Sequence, residues 1–428
     1  MARRALTGDY SCRQMNDELP VSVAYLDHAA TTPIYPEVVD AMAAQLARLG
    51  NASSLHGSGR ATRRIVEESR EAIAAALGAR PSEVVFTSGG TEADNLAAKG
   101  FFWSRRQAEP RRTRILTSAI EHHAVLDALH WLVTHEGAEV ELLPVDADGR
   151  LRIEALRTSI ERDPDSVALV SVMWANNEVG TLQPIDEVVA LASAHGIPVH
   201  TDAVQALGQV PLDFAAVNVD AMTVTGHKVG GPFGVGALLL RRESDLVALL
   251  HGGGQERDVR SGTLDAPAIV GFALATELAV KCQPTRVVEL AELRDALISG
   301  VLDAVPDAQL NGPPGDDRLP GNAHFTFPGC QGDSLLMLLD AQGIECSTGS
   351  ACSAGVPQAS HVLLAMSRDE ATARASLRFS LGHTSTAHDI ERLVEAIGPA
   401  VQRARAAGLG TGSATTSASP ALFAGTGS

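Results

Sequence analysis

The chain has 428 residues, too long for one small core, and its 45% hydrophobic and 20% charged residues match a soluble globular protein of two or three domains. The 34 Lys and Arg against 51 Asp and Glu leave a net charge of −17, and no dense basic run appears, which excludes a nucleic-acid partner gripped through its phosphates. No apolar run reaches the ~18 residues of a membrane span, so no membrane partner is expected.

Residues 1–22 carry an Arg pair with no apolar segment behind it and read as a disordered leader rather than a secretory signal. Five cysteines (Cys12, Cys282, Cys330, Cys346 and Cys352) without such a signal point to a reducing, cytoplasmic compartment in which disulfides are not expected.

From about residue 83 short β-branched runs alternate with helical patterns. The runs are EVVF, TRILTS, AEVELLPV, SVALVSVMW, IPVHTD, AMTVTG and VGALLLR. Between them lie helical patterns such as TEADNLAAKGFFW, HHAVLDALHWLVTHEG and IDEVVALASAHG. Such alternation predicts an α/β fold whose large domain, residues 36–272, is a mostly parallel seven-stranded sheet covered by helices. After about residue 270 two amphipathic helices, AIVGFALATELAVKC and VVELAELRDALISGVLDAV, lead into a turn-rich stretch and further strands. Residues 23–35 with 273–407 are expected to form a smaller α+β domain, and 408–428 a disordered Gly/Ser/Thr-rich tail.

In parallel sheets ligands bind beyond the carboxyl ends of the strands, so the residues just after each run are the candidates for chemistry. Gly89, Gly90 and Thr91 stand where a strand hands over to a helix, a natural phosphate site. Read alone they fit a glycine turn with Thr91 as N-cap and Asp94 as its partner better than a phosphate site. His122 and His123 open the next helix. Asn176, Asn177 and Glu178 follow a buried strand, as do Asp202 and Gln205. Lys228, in VTGHKVGGPFGVG, ends another, where burial lowers a lysine pKa and favours Schiff-base chemistry.

Together these residues match what pyridoxal phosphate requires. Lys228 takes the aldehyde, while Thr91, Thr225 and His227 take the phosphate. Asp202 keeps the ring nitrogen protonated so that the ring acts as an electron sink, and His122 stacks on the ring.

The motifs AYLDHAATTP, FTSGGTEADN, EHHAVLD, NNEVG, TDAVQALG, GHKVGGPFGVG, HGGGQERDVRSGT, STGSACSAG and LRFSLG occur in an order that resembles the cysteine desulfurases of the NifS/IscS type, from about Tyr25 to Ala406. The resemblance implies the fold of class V aminotransferases, fold-type I among pyridoxal-phosphate enzymes. It implies Lys228 as the lysine that bonds the cofactor and moves the substrate Cα proton, and His122 as an acid/base. Gly90, Thr91, Thr225, Gly226 and His227 would surround the phosphate. Asn177, Asp202 and Gln205 would contact the ring, and Thr263 would reach the phosphate of a neighbouring subunit in a homodimer. Arg378, with Asn177, would hold the carboxylate of L-cysteine. Cys352 would accept the sulfur as a persulfide, leaving L-alanine, and pass it to an acceptor protein such as an iron–sulfur scaffold or a tRNA-thiolating enzyme. Its long loop resembles that of the housekeeping group for iron–sulfur assembly.

The stretch CSTGSACSAG holds Cys346 and Cys352 among small residues that cannot build a core. Their C-x5-C spacing is too loose for a common zinc clip, and no second ligand pair lies nearby, so no firm metal site is expected. A transient iron–sulfur contact at Cys352 during hand-over stays open. Cys346 reads as a small buried residue at a strand end, and Cys352 as a travelling thiol with a reach of about 15 Å. A selenocysteine lyase or another class V aminotransferase on the same fold is the alternative.

Overall fold

The computed structural model describes residues 23–349 and 359–409. The leader, Cys352 and the tail from residue 410 lie outside the described residues; residues 408 and 409, expected in the tail, end the last helix, Ala387–Leu409.

After the short strand β1 (Ala24–Tyr25), the seven predicted runs become β2 (Val84–Thr87), β3 (Arg114–Ser118), β4 (Glu139–Leu143), β5 (Val167–Ser171), β6 (Val199–Asp202), β7 (Ala221–Thr225) and β8 (Gly236–Leu240). They form one sheet in the order β2-β8-β7-β6-β5-β3-β4. Only β8 runs against its two neighbours, β2 and β7. Six of the seven strands are buried along their whole length, as a sheet covered on both faces requires. The exception is β4 at the edge, where Glu139 and Glu141 charge the open side.

Side chains alternate between the two faces. Val85, Ala168, Ala221 and Leu238 meet the helices Gly90–Ala108 and His123–Glu136. Phe86, Leu116, Val170 and Met222 share the opposite core with the helices Gly57–Ala76 and Ile185–Ser193. Parallel pairing of β3, β5, β6 and β7 aligns their carboxyl ends along one edge, which collects the motif residues.

A second core lies around an antiparallel sheet of β9 (Gln309–Asn311), β10 (Asn322–Thr326) and β12 (Ser376–Ser380), ordered β12-β10-β9. Phe325, Phe327 and Phe379 fill it together with Leu290, Leu297 and Ile397. Strand β1 pairs in parallel with β11 (Ile344–Glu345), and Asp27 bridges onto Ser380.

The two amphipathic helices predicted after about residue 270 are one helix, Ala266–Ala304, of 39 residues with Pro284 inside. Proline removes one helical hydrogen bond. Burial outweighs that loss: Phe272 and Leu278 sit in the first core, and Leu290, Leu297 and Val301 in the second. One helix therefore carries the chain from core to core. Cys330 and Cys346 are free thiols, whereas Cys282 is disulfide-bonded, which departs from the expectation of no disulfides.

Candidate active site

A cleft of about 400 Å³ opens at the carboxyl edge of the sheet, between the strand ends and the second core. Most of the residues predicted from strand ends line it: Gly90, Thr91, His122, Asn177, Asp202, Gln205, Thr225, His227 and Lys228. Arg378 reaches it from β12 of the second sheet, and Ser347 and Gly349 close the same wall.

Lys228 sits in the glycine-rich turn between β7 and β8. The N–H groups of Val229 and Gly231 both donate to the Gly226 carbonyl, which tightens that turn. The Lys228 Nζ donates to the carbonyls of Ala29 and Ala30, each at 2.6 Å. Desolvation, then the positive field of Arg378, lowers its pKa to about 8.

Asp202 ends β6, and its Oδ1 accepts the Val204 N–H at 2.9 Å. Burial raises its pKa to about 6, against the pull of Lys228. Beneath it lie Asp94 and Glu121, both fully buried. Burial, with the charge of Asp202 as a further cause, holds both carboxyls well above the ordinary range.

His122 is the N-cap of the helix His123–Glu136, and its Nδ1 accepts the Ala124 N–H at 3.1 Å. That bond leaves Nε2 to carry the proton of the neutral ring. Desolvation and nearby Lys228 lower its pKa to about 4, so the ring is neutral at physiological pH.

Gly89, not Thr91, caps the helix Gly90–Ala108; its φ of 145° is a conformation open to glycine, and no side chain bonds the cap. Asp94 points into the protein rather than partnering Thr91, so the capping arrangement is absent. Gly90 and Thr91 of this first turn line the cleft together with Thr225 and His227.

Two observations test whether pyridoxal phosphate fits. His227 Nδ1 is buried without a hydrogen-bond partner, a donor or acceptor in want of a ligand. A side chain at Gly90 would sit 3.0 Å from Val204 Cγ2, so the bare backbone is what leaves room beside the helix start. An uncapped helix terminus, an orphaned imidazole, a buried carboxylate and a lysine of depressed pKa are the donors and acceptors that this cofactor needs. The residues fit.

Two predicted residues are not in the cleft wall. Gly226 lies behind it, giving its N–H to Val235 and its carbonyl to the turn. Thr263 is exposed and away from this chain's own cleft. Cys352 lies outside the described residues. Cys346 directly follows β11 and is partly buried, and desolvation raises its thiol pKa, which disfavours the thiolate.

Sequence reasoning gave no role to Asp27, the carbonyls of Ala29 and Ala30, Glu121 or His324. Asp27 stood in a quoted motif, but its partner is 351 residues away. No local spacing signals such a contact.

The pattern of the aminotransferase class-V family matches residues 24–393 of the chain. The chain belongs to the class-V aminotransferase family. It is 60% identical over 393 residues to an IscS-like cysteine desulfurase of Mycobacterium tuberculosis, covering 92% of this chain and 100% of that protein. Among solved structures this family member superposes on a NifS-like protein with a TM-score of 0.82 and 34% identity, covering 89% of this chain and all of the other. It also superposes on SspA in complex with cysteine, with a TM-score of 0.73, 34% identity, and coverage of 85% and 99%.

Proposed function

We propose that this chain removes sulfur from L-cysteine, giving L-alanine and a persulfide on Cys352, as a pyridoxal-phosphate-dependent cysteine desulfurase. The observation that carries the reading is one cleft shared by Lys228, Arg378 and Gly349, the last only three residues before Cys352. A base, a carboxylate-binding fork and the root of a thiol-bearing segment converge there.

Gly90, Thr91, Thr225 and His227 would hold the cofactor phosphate, Asp202 the ring nitrogen, and Asn177 with Gln205 the ring's polar edge. When bound, pyridoxal phosphate supplies an electron sink that makes the substrate Cα proton removable. Arg378 binds the substrate carboxylate and fixes which face of Cα meets Lys228. Lys228, whose pKa near 8 leaves a useful fraction as free amine, takes that proton at Nζ. His122, neutral with its proton on Nε2, can give a proton to the substrate and recover it.

The thiolate of Cys352 then attacks the substrate sulfur. An S–S bond forms, the C–S bond breaks, and its electron pair goes to Cβ, which takes a proton and becomes the methyl of alanine. A thiol acceptor later takes the terminal sulfur, restoring Cys352.

The finer parts of the proposal are a homodimer, a cytoplasmic location, and acceptors such as an iron–sulfur scaffold or a tRNA-thiolating enzyme. Contact of Cys352 with a cluster in transit belongs to the same reading. The exposure of Thr263 supports the dimer, because a residue serving a neighbouring subunit's phosphate must stand clear of its own cleft. Purified protein given L-cysteine and dithiothreitol should yield equal alanine and sulfide. Absence of both products would remove the proposal, and full activity in Cys352→Ala would remove the assignment of the nucleophile.

A further inference from the structure

We propose that Arg318 and Asn322 are positioning residues for the substrate carboxylate: they grip the NNEVG stretch and so set where Arg378 stands relative to the cofactor's half of the cleft. The inference rests on the assignment of Arg378 as the group that binds that carboxylate.

The carbonyls of four successive residues, Asn177 to Gly180, are each taken by a donor from the chain between Arg318 and Arg378. Arg378 Nη1 donates to the Asn177 carbonyl at 2.9 Å, Asn322 Nδ2 to that of Glu178 at 3.1 Å, and Arg318 Nη1 to that of Val179 at 3.0 Å. The Leu319 N–H donates to the Gly180 carbonyl at 2.9 Å. The other side of the stretch is held at the edge of the large sheet. Buried Asn176, whose Nδ2 donates to the Ile120 carbonyl, accepts the N–H groups of Glu178 and Val179 at Oδ1, each at 2.9 Å. Its carbonyl accepts the Gly180 N–H. The stretch is therefore a strip pinned through its N–H groups on one side and through its carbonyls on the other.

Arg318 is 1% exposed, and its hydrogen bonds all go to carbonyls: Val179, Asn311 at 2.5 Å and Pro313 at 2.8 Å. Desolvation, with Arg294 adding to it, lowers its pKa to about 10, so it stays charged near neutral pH. A buried charge is costly to hold, and the planar fork repays it by joining three segments at once.

Two glycines permit the close approach. Gly180 has φ +79° and Gly312 φ +83°. A Cβ at Gly180 would lie 2.8 Å from Asn322 Oδ1, and one at Gly312 2.7 Å from the Val179 carbonyl oxygen. On the second sheet, β10 and β12 pair His324 with Arg378 and Asn322 with Ser380. Asn322 and Arg378 thus rise from the same face of that sheet.

The consequence is uneven across the cleft. Asp202, Thr225, His227 and Lys228 stand at or just beyond the strand ends of the large sheet, which fixes their places. Arg378 comes from the second sheet, and its place relative to them depends on the row of carbonyls. Loosening that row moves the carboxylate-binding fork and leaves the side that holds the amine and the phosphate where it is. A shift of an ångström is enough to lose most of a directed contact.

The test uses the cofactor-loaded protein and two primary amines, L-alanine and ethylamine, which differ only by the carboxylate. Binding of each is read from the absorbance of the bound cofactor. Arg318→Met should weaken L-alanine about tenfold or more and ethylamine by less than about twofold. Asn322→Ala should show a smaller loss of the same kind. Equal weakening of both amines, which a general loosening of the fold would give, overturns the inference, and so does no weakening of either. Should Arg318→Met fail to fold, Asn322→Ala decides by the same split. Arg378→Lys is the control. If it binds L-alanine as the parent does, the assignment of Arg378 fails. If it loses L-alanine while Arg318→Met and Asn322→Ala retain it, only the positioning role is overturned.

Discussion

Arg378 Nη2 donates to Asp27 Oδ1 at 2.6 Å, joining strand β12 to the segment that leaves β1. The guanidinium also donates from Nη1 to the Asn177 carbonyl at 2.9 Å. Its Nε is buried without a partner. Nη1 and Nη2 are thus each pinned by the protein while Nε makes no bond, the arrangement of a clamp whose direction is set beforehand.

Replacing the clamp tests this directly. Arg378→Lys keeps a charge but loses the fork, and should raise the KM for L-cysteine about a hundredfold with the bound cofactor's colour unchanged. Asp27→Ala should lower kcat/KM by about tenfold, because the fork is no longer aimed. Steady-state kinetics with cofactor absorbance checks both, and normal KM in both variants would remove Arg378 from substrate binding.

Lys228 makes cofactor uptake depend on pH. In the apoprotein its amine is charged below about 8 and free above it. Only the free amine adds to an aldehyde, so the rate of uptake should rise about tenfold per unit towards pH 8 and level off beyond. The linked stability has the same sign. The unfolded chain keeps this proton to about pH 10.4 while the folded chain releases it earlier, so this group's contribution rises with pH between those values. Stopped-flow absorbance across pH 6–10 measures the first effect, and a rate independent of pH would contradict the lowered pKa.

Gly349 has φ +82°, and a side chain there would crowd His324 Nε2 at 3.1 Å while meeting Glu178 Oε2 at an ordinary contact distance of 3.4 Å. Gly349→Ala should therefore cost about 1–3 kcal/mol at this site and fall mainly on sulfide release. Thermal unfolding and product analysis together decide whether the strain is local.

Arg70 forms a two-pronged pair with Glu256, each contact 2.7 Å, and Glu256 also accepts the Phe86 N–H at 2.8 Å. Both side chains are nearly fully buried. Arg70→Met should destabilise the fold by about 3–5 kcal/mol, since it strands a buried carboxylate. Glu256 lies seven residues before Thr263, so the same variant should loosen the segment proposed to serve a neighbouring subunit. Chemical denaturation reads the first effect and sedimentation the second.

The sheet and the strand-end half of the cleft were legible because both depend on local order. A β-branched run predicts a strand, and parallel pairing then brings the residues after successive runs to one edge. Lys228, Asp202 and His122 needed nothing more to be placed together. The helix Ala266–Ala304 was misread as two because Pro284 is a local break signal, while the burial that carries the helix through it is not local.

The sequence by itself determined the α/β class, the seven strands and the side chains offered at their ends, since each follows from a pattern a few residues long. Only the tertiary structure decided how the second core meets that edge. Asp27, Arg378, Glu178 and Ser360 act through contacts between segments as many as 351 residues apart. Such contacts come from the packing of two cores against each other, for which neither spacing nor composition holds a signal. The same physics acts at Cys346, whose thiol pKa is raised by desolvation where β11 ends, and at Glu178 of the NNEVG stretch, which accepts the Ser360 Oγ from 182 residues away.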